Sequence, residues 1–153
     1  MRCRDIMRTD VRHLIAEDSI RTAAEVMRDA GVGFLPVVDS ASSVIGVITD
    51  RDLVVRALAD GRSPETAVSV VMTDEVVACM PDDDIRVAAA RLARMKRSRV
   101  VVVDERGTLA GVISLSDVVE ALGGIAAIAS ARDARGQDLD RRSRDRISRT
   151  SVV

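Results

Sequence analysis

The 153-residue sequence has no tryptophan, no tyrosine and a single phenylalanine, Phe34. A chain so poor in rings offers no platform on which successive bases of a nucleic-acid strand stack. Its two cysteines, Cys3 and Cys79, lack metal-ligand spacing, and its one histidine, His13, has no companion ligand nearby, so metal and thiol catalysis are not expected. No run approaches the ~18 apolar residues of a membrane span, and no apolar signal region opens the chain. Charge of one sign is lacking too. The 23 Lys and Arg against 24 Asp and Glu leave a net charge of −1, which gives no whole-chain field for nucleic acid or a membrane surface. These absences describe a soluble protein of a reducing compartment, and a cytoplasmic location is expected.

What is present is a repeat. Sliding the chain by 65 residues lays Met7 on Met72, Ile20 on Ile85 and Ala23-Ala24 on Ala88-Ala89, without a gap. Val37-Val38-Asp39 falls on Val102-Val103-Asp104. Gly46-Val47-Ile48-Thr49 with Asp52 falls on Gly111-Val112-Ile113-Ser114 with Asp117. A lone repeat of this size would bury roughly 60% of its unfolded surface, whereas the whole length buries roughly 68–70%, so the two copies are expected to fold together with paired clefts at their junction.

Each copy predicts the same order of elements. Asp18-Ser19 and Asp83-Asp84 cap helices whose apolar residues recur at helical spacing: Ile20, Ala23, Ala24 and Met27, then Ile85, Ala88, Ala89 and Leu92. Gly31 supplies a helix stop in the first copy. Strands are predicted over Leu35–Val38 and Val44–Ile48, and over Val100–Val103 and Leu109–Ile113, each pair joined by a polar turn. A closing helix follows at Asp50–Asp60 and at Leu115–Leu122. Val55 widens the apolar stripe of the first closing helix beyond one face, which leads us to expect a homodimer. Residues 1–62 and 63–126 therefore form two repeats, and 127–153 a flexible Arg-rich tail; Ala131 to Val153 holds seven Arg and four Asp. The interleaved acids blunt the tail's field, and nucleic-acid binding is not expected of it.

The chemistry gathers where a strand meets a closing helix. Both copies read glycine, two apolar residues, a hydroxyl, two variable positions and an aspartate: Gly46 to Asp52 and Gly111 to Asp117. Thr49 with Asp52, and Ser114 with Asp117, fit a helix capping box in which hydroxyl and carboxylate satisfy each other's backbone amides. The same residues also suit a nucleotide: a glycine for close approach, a hydroxyl at a helix start for phosphate, and a carboxylate for two ribose hydroxyls.

Two such signatures behind capped helices and Val-Val-Asp strands, with Gly33-Phe34-Leu35-Pro36-Val37-Val38-Asp39 ahead of the first, resemble a tandem pair of cystathionine-β-synthase (CBS) domains, a Bateman module. The resemblance covers about residues 3 to 124. It implies an α/β (α+β) fold of two β-α-β-β-α repeats packed as a pseudo-twofold pair. It also implies clefts for an adenosine-containing ligand: AMP, ADP, ATP or S-adenosylmethionine. By that resemblance Asp52 and Asp117 hold ribose hydroxyls, Thr49 and Ser114 contact phosphate, and Gly33, Phe34, Leu35 and Pro36 line the first base pocket.

The second copy departs from the pattern, with Ser98-Arg99-Val100-Val101 in place of Gly33-Phe34-Leu35-Pro36. Arg99 is either a phosphate counter-charge or a strand-edge charge, and the two clefts are not expected to be equivalent. Arg51, inside the first signature, is either a phosphate ligand or a solvated first-turn residue. Met27, Met72, Met80 and Met95 read as core filler.

No nucleophile with a base and no metal cluster accompanies these residues, so catalysis is not expected and no cofactor is required. The sequence describes a sensor of adenine-nucleotide status that signals through a change in pair or dimer geometry to an unidentified regulated protein. The alternative is a ligand-free scaffold that docks a partner enzyme or transporter.

Overall fold

The computed structural model describes residues 1–123; the tail expected over 127–153 and the end of the second repeat lie outside the described residues. One unit takes in Met1–Leu115 and a second begins at Ser116. The chain is a mixed α+β protein with two three-stranded sheets, ordered β1-β2-β3 and β4-β5-β6.

The first repeat runs β1 (Leu14–Ile15), α1 (Ile20–Ala30), β2 (Phe34–Val38), β3 (Val44–Thr49) and α2, which begins at Asp50–Asp52 and continues as a π-helical stretch over Leu53–Leu58. The second runs β4 (Ala78–Cys79), α3 (Ile85–Met95), β5 (Arg99–Val103), β6 (Leu109–Ser114) and α4 (Leu115–Ala121). In each sheet the short first strand pairs parallel to the second, and the second pairs antiparallel to the third. The register shifts at Val37/Val38 and again at Val102/Val103, so even the bulge is repeated.

Local chemistry explains the helix limits. The Ser19 hydroxyl accepts the Thr22 N–H at 3.1 Å, and the Asp84 carboxylate accepts the Arg86 N–H at 2.9 Å. Helix α1 ends on Gly31 in the left-handed region, φ 65°, where glycine carries no Cβ penalty. Helix α3 ends the same way on Lys96, φ 51°, a residue for which that conformation is unfavourable. Asp39 and Asp104 close the hairpins: Asp39 Oδ1 accepts the Ala41 and Ser43 N–H groups, and Asp104 Oδ1 those of Arg106 and Thr108. The accepted bond from Thr108, followed by that from Arg106, holds the Asp104 carboxyl below its usual pKa.

The buried residues of the two repeats correspond at the 65-residue offset. Leu14, Ile20, Ala23, Met27, Leu35, Val37, Ile48 and Val68 are buried in the first, and Cys79, Ile85, Ala88, Leu92, Val100, Val102, Ile113 and Cys3 in the second. One of these correspondences, Val68 with Cys3, crosses the linear boundary between repeats. Val68, which follows the linker, joins the first core, and Cys3, at the N-terminus, is buried with Cys79.

The chain achieves this by exchanging arms. Val47 and Thr73 trade both backbone hydrogen bonds, at 2.9 and 2.8 Å, and Arg8 and Val112 do so at 3.0 Å each. The hairpin turns also meet, with the Val44 N–H on the Gly107 carbonyl at 3.0 Å and the Leu109 N–H on that of Ser42 at 3.3 Å. Of the methionines expected in the core, Met27 is buried, whereas Met80 is exposed on the loop after β4.

Candidate functional site

The hinge of the first signature is a completed capping box. Thr49 Oγ1 accepts the Asp52 N–H at 3.1 Å, while Asp52 Oδ2 accepts the Thr49 N–H at 2.9 Å and its hydroxyl at 2.8 Å. Capping therefore occupies one carboxylate oxygen. The other, Oδ1, faces the Arg56 guanidinium at 3.6 Å, beyond hydrogen-bond length, and keeps lone pairs for further donors. Arg56 is held in turn by the Val71 and Met72 carbonyls, at 3.2 and 3.0 Å.

This hinge forms one wall of a cleft of about 420 Å³, within the range of small-molecule sites. Gly33, Phe34, Thr49, Asp50, Arg51, Asp52, Val55 and Arg56 line it from the first repeat, and Lys96, Arg97, Ser98, Arg99 and Val101 from the second. Arg99 starts β5 and carries its guanidinium 5.8 Å from the centre of the Phe34 ring, within cation–π range. Arg51 is an exposed residue on the same wall.

Of the residues expected from the sequence, the cleft gathers Gly33, Phe34, Thr49, Arg51, Asp52 and Arg99. Leu35 and Pro36 do not line it, and both are fully buried. Strand alternation turns Leu35 into the core of the first repeat, with Val37. Ser114 ends β6, and Asp117 stands in the first turn of α4.

The signature glycines also serve a purpose other than ligand approach. A Cβ on Gly46 would lie 2.5 Å from Met72 Sδ, and one on Gly111 would lie 2.7 Å from the Arg8 carbonyl oxygen, so both make room for the exchanged arms. Gly33 makes room for Asp50, whose carboxylate would lie 2.6 Å from an added Cβ.

Asp50, Arg56, Lys96 and Arg97 are cleft residues the sequence reading missed. Three of the differences between copies pointed to them: Gly31 against Lys96, Val32 against Arg97, and Asp50 against Leu115. Arg56 could have been found from its i+4 spacing to Asp52. Among the described residues no group of three or more His, Cys, Asp or Glu is placed to hold a metal ion, and no helix is long and apolar enough to cross a membrane.

Comparison with known proteins agrees with this architecture. The family model described as CBS domain matches twice, over residues 3–58 and 68–124. The CBS domain-containing protein YhcV of Bacillus subtilis is 34% identical over 115 residues, 75% of this chain and 81% of that protein. The CBS domain pair of protein MJ0100, solved with 5'-methylthioadenosine and S-adenosyl-L-methionine, superposes with a TM-score of 0.73 at 25% identity, covering 81% of this chain and 97% of that one. CBSX2 in complex with AMP superposes with a TM-score of 0.69 at 26% identity, covering 79% and 95%. A homoserine O-acetyltransferase of Methanosphaerula palustris is 31% identical over 120 residues, yet the match spans only 24% of that enzyme. Two family matches at the repeat offset, on a fold shared with solved domain pairs, place the chain in the CBS domain family, as a tandem pair.

Proposed function

We propose that the chain is a cytoplasmic regulatory module that binds an adenosine-containing ligand bearing phosphate in the cleft between Thr49–Arg56 and Lys96–Arg99. The observation that carries this reading is the cleft's charge: Arg51, Arg56, Lys96, Arg97 and Arg99, five cations, stand against the two carboxylates of Asp50 and Asp52. Guanidinium groups suit phosphate oxygens, whereas the sulfonium of S-adenosylmethionine would meet an excess of like charge. Among AMP, ADP, ATP and S-adenosylmethionine, the phosphorylated ligands are therefore favoured. In this reading Asp52 Oδ1 accepts ribose hydroxyls, Thr49 and Arg51 meet the phosphates, and Phe34 with Gly33 borders the base. Ser114 and Asp117 take the corresponding roles in a second, inequivalent cleft. The similar pairs solved with AMP and with S-adenosyl-L-methionine support an adenosine ligand.

No catalytic role is assigned. The ligand acts by binding one arrangement of the pair or of a homodimer more tightly than another, and that difference sets the size of the signal passed to a regulated protein.

Thermal unfolding against AMP, ADP, ATP, S-adenosylmethionine and GTP tests the reading. Ligand at ~100 times its dissociation constant adds roughly 2.7 kcal/mol, a rise on the order of 5–10 °C for a chain of this size. The rise is expected with adenine phosphates and should vanish in Asp52→Ala, compared with that variant's own ligand-free midpoint because its cap is lost as well. Asp117→Ala should retain it. No rise with any of the five would favour the second reading, a ligand-free scaffold. Val54, Val55 and Leu58 are 56%, 49% and 75% exposed and would then be the face that docks a partner enzyme or transporter.

A further inference from the structure

Cys3 and Cys79 are free thiols, 0% and 1% exposed, with their sulfurs 3.5 Å apart. At the 65-residue offset their places in the first repeat are taken by Val68 and Leu14, both buried. Packing at this point thus asks only for an apolar filler. A pair of facing thiols is more than packing requires.

The two residues also join segments that only non-covalent contacts hold together. Cys3 lies on a short 3-10 turn, Cys3–Asp5, in the N-terminal arm, and Cys79 on β4. The Cys3 and Arg4 N–H groups donate to the Asp83 and Pro81 carbonyls at 2.9 Å each. Arg2 and Arg4 reach the Asp82 carboxylate at 2.8 and 2.6 Å, through side chains more than half exposed and so screened by solvent.

We propose that Cys3 and Cys79 are an oxidation site: a small-molecule disulfide such as oxidised glutathione converts them to an intramolecular disulfide that ties the N-terminal arm to the second repeat. One protein thiolate attacks a sulfur of oxidised glutathione, forming a mixed disulfide and releasing one glutathione thiolate. The second protein thiolate attacks the protein sulfur of that mixed disulfide, forming the Cys3–Cys79 bond and releasing the second glutathione. Two protein thiols are oxidised, one glutathione disulfide is reduced to two thiols, and the two protons go to those thiols or to solvent. Closing the bond brings the sulfurs from 3.5 Å to about 2.05 Å.

Burial makes the site slow. It pushes the Cys79 thiol up to about 12 and raises that of Cys3, so thiolate is scarce while the arm is seated. Attack follows release of the arm, and the rate reports how often the arm lifts.

The test equilibrates the purified chain with defined ratios of reduced and oxidised glutathione. Intact mass should fall by about 2 Da, with both thiols lost to a thiol reagent after denaturation and no glutathione retained. The melting midpoint of the oxidised chain should rise on the order of 10 °C, because the bond closes a long loop. Cys3→Val/Cys79→Leu, which installs the residues of the first repeat, should fold and show the same midpoint in both buffers. A persistent glutathione adduct, a disulfide-linked dimer, two thiols surviving in a buffer that cross-links the urea-unfolded chain, or an unchanged or lower midpoint after oxidation would each overturn the proposal.

Discussion

Lys96 is the one lysine in the chain, and it occupies a helix end where its counterpart, Gly31, sits without strain. A side chain in the left-handed region costs about 1 kcal/mol relative to glycine, and Lys96 holds that conformation on the wall of the cationic cleft. Lys96→Gly should therefore raise the ligand-free melting midpoint by roughly 2–4 °C. If the cleft takes phosphate, the same change should weaken ATP binding by about three- to tenfold, the worth of a partly exposed charge contact. Differential scanning calorimetry and titration calorimetry read the two effects separately. Stabilisation with unchanged affinity would remove Lys96 from the site while leaving Asp52 in it. The carboxylate of Asp52 shows why the two readings of its signature are compatible: the cap consumes Oδ2, and Oδ1 is left to face the cleft.

At the scale of elements, the exchanged arms give the signature glycines unequal weight. Gly46 is crowded by the Met72 thioether, a flexible end that can rotate away, whereas Gly111 is crowded by the Arg8 backbone carbonyl, which is fixed by its bonds to Val112. Gly111→Ala should cost about 1–3 kcal/mol and Gly46→Ala less than about 1 kcal/mol, both read from urea unfolding at equilibrium. Helices α1 and α3 and the two hairpins were legible in the sequence. Their caps and their 3.6-residue spacing are local signals, and Ser19 and Asp84 act as those signals imply. The arms were not legible, because the Arg8–Val112 and Val47–Thr73 pairings are isolated bridges with no periodicity of their own. The π-helical turn over Leu53–Leu58 was hidden as well, since an apolar run does not announce which hydrogen-bond register it takes. Cations outside the signature, Lys96 and Arg97 among them, join the cleft through the pairing of repeats rather than through any motif.

At the scale of the molecule, we propose that a second copy of the chain covers the exposed stripe of Val54, Val55 and Leu58. Leu58→Glu places a charge in that stripe and should shift sedimentation equilibrium from dimer to monomer, with little loss of fold stability because the side chain is 75% exposed. A wild-type chain that sediments as a monomer would count against the dimer without touching the cleft. The arms say something about how such a chain arises. A single ancestral repeat whose leading segment docks only on the third strand of another repeat has one way to complete itself, which is to trade that segment with an identical molecule. Duplication joins the traders end to end. Within one chain the same exchange is intramolecular and holds at any concentration, and the two halves can differ, as Val68 and Leu14 do from Cys3 and Cys79.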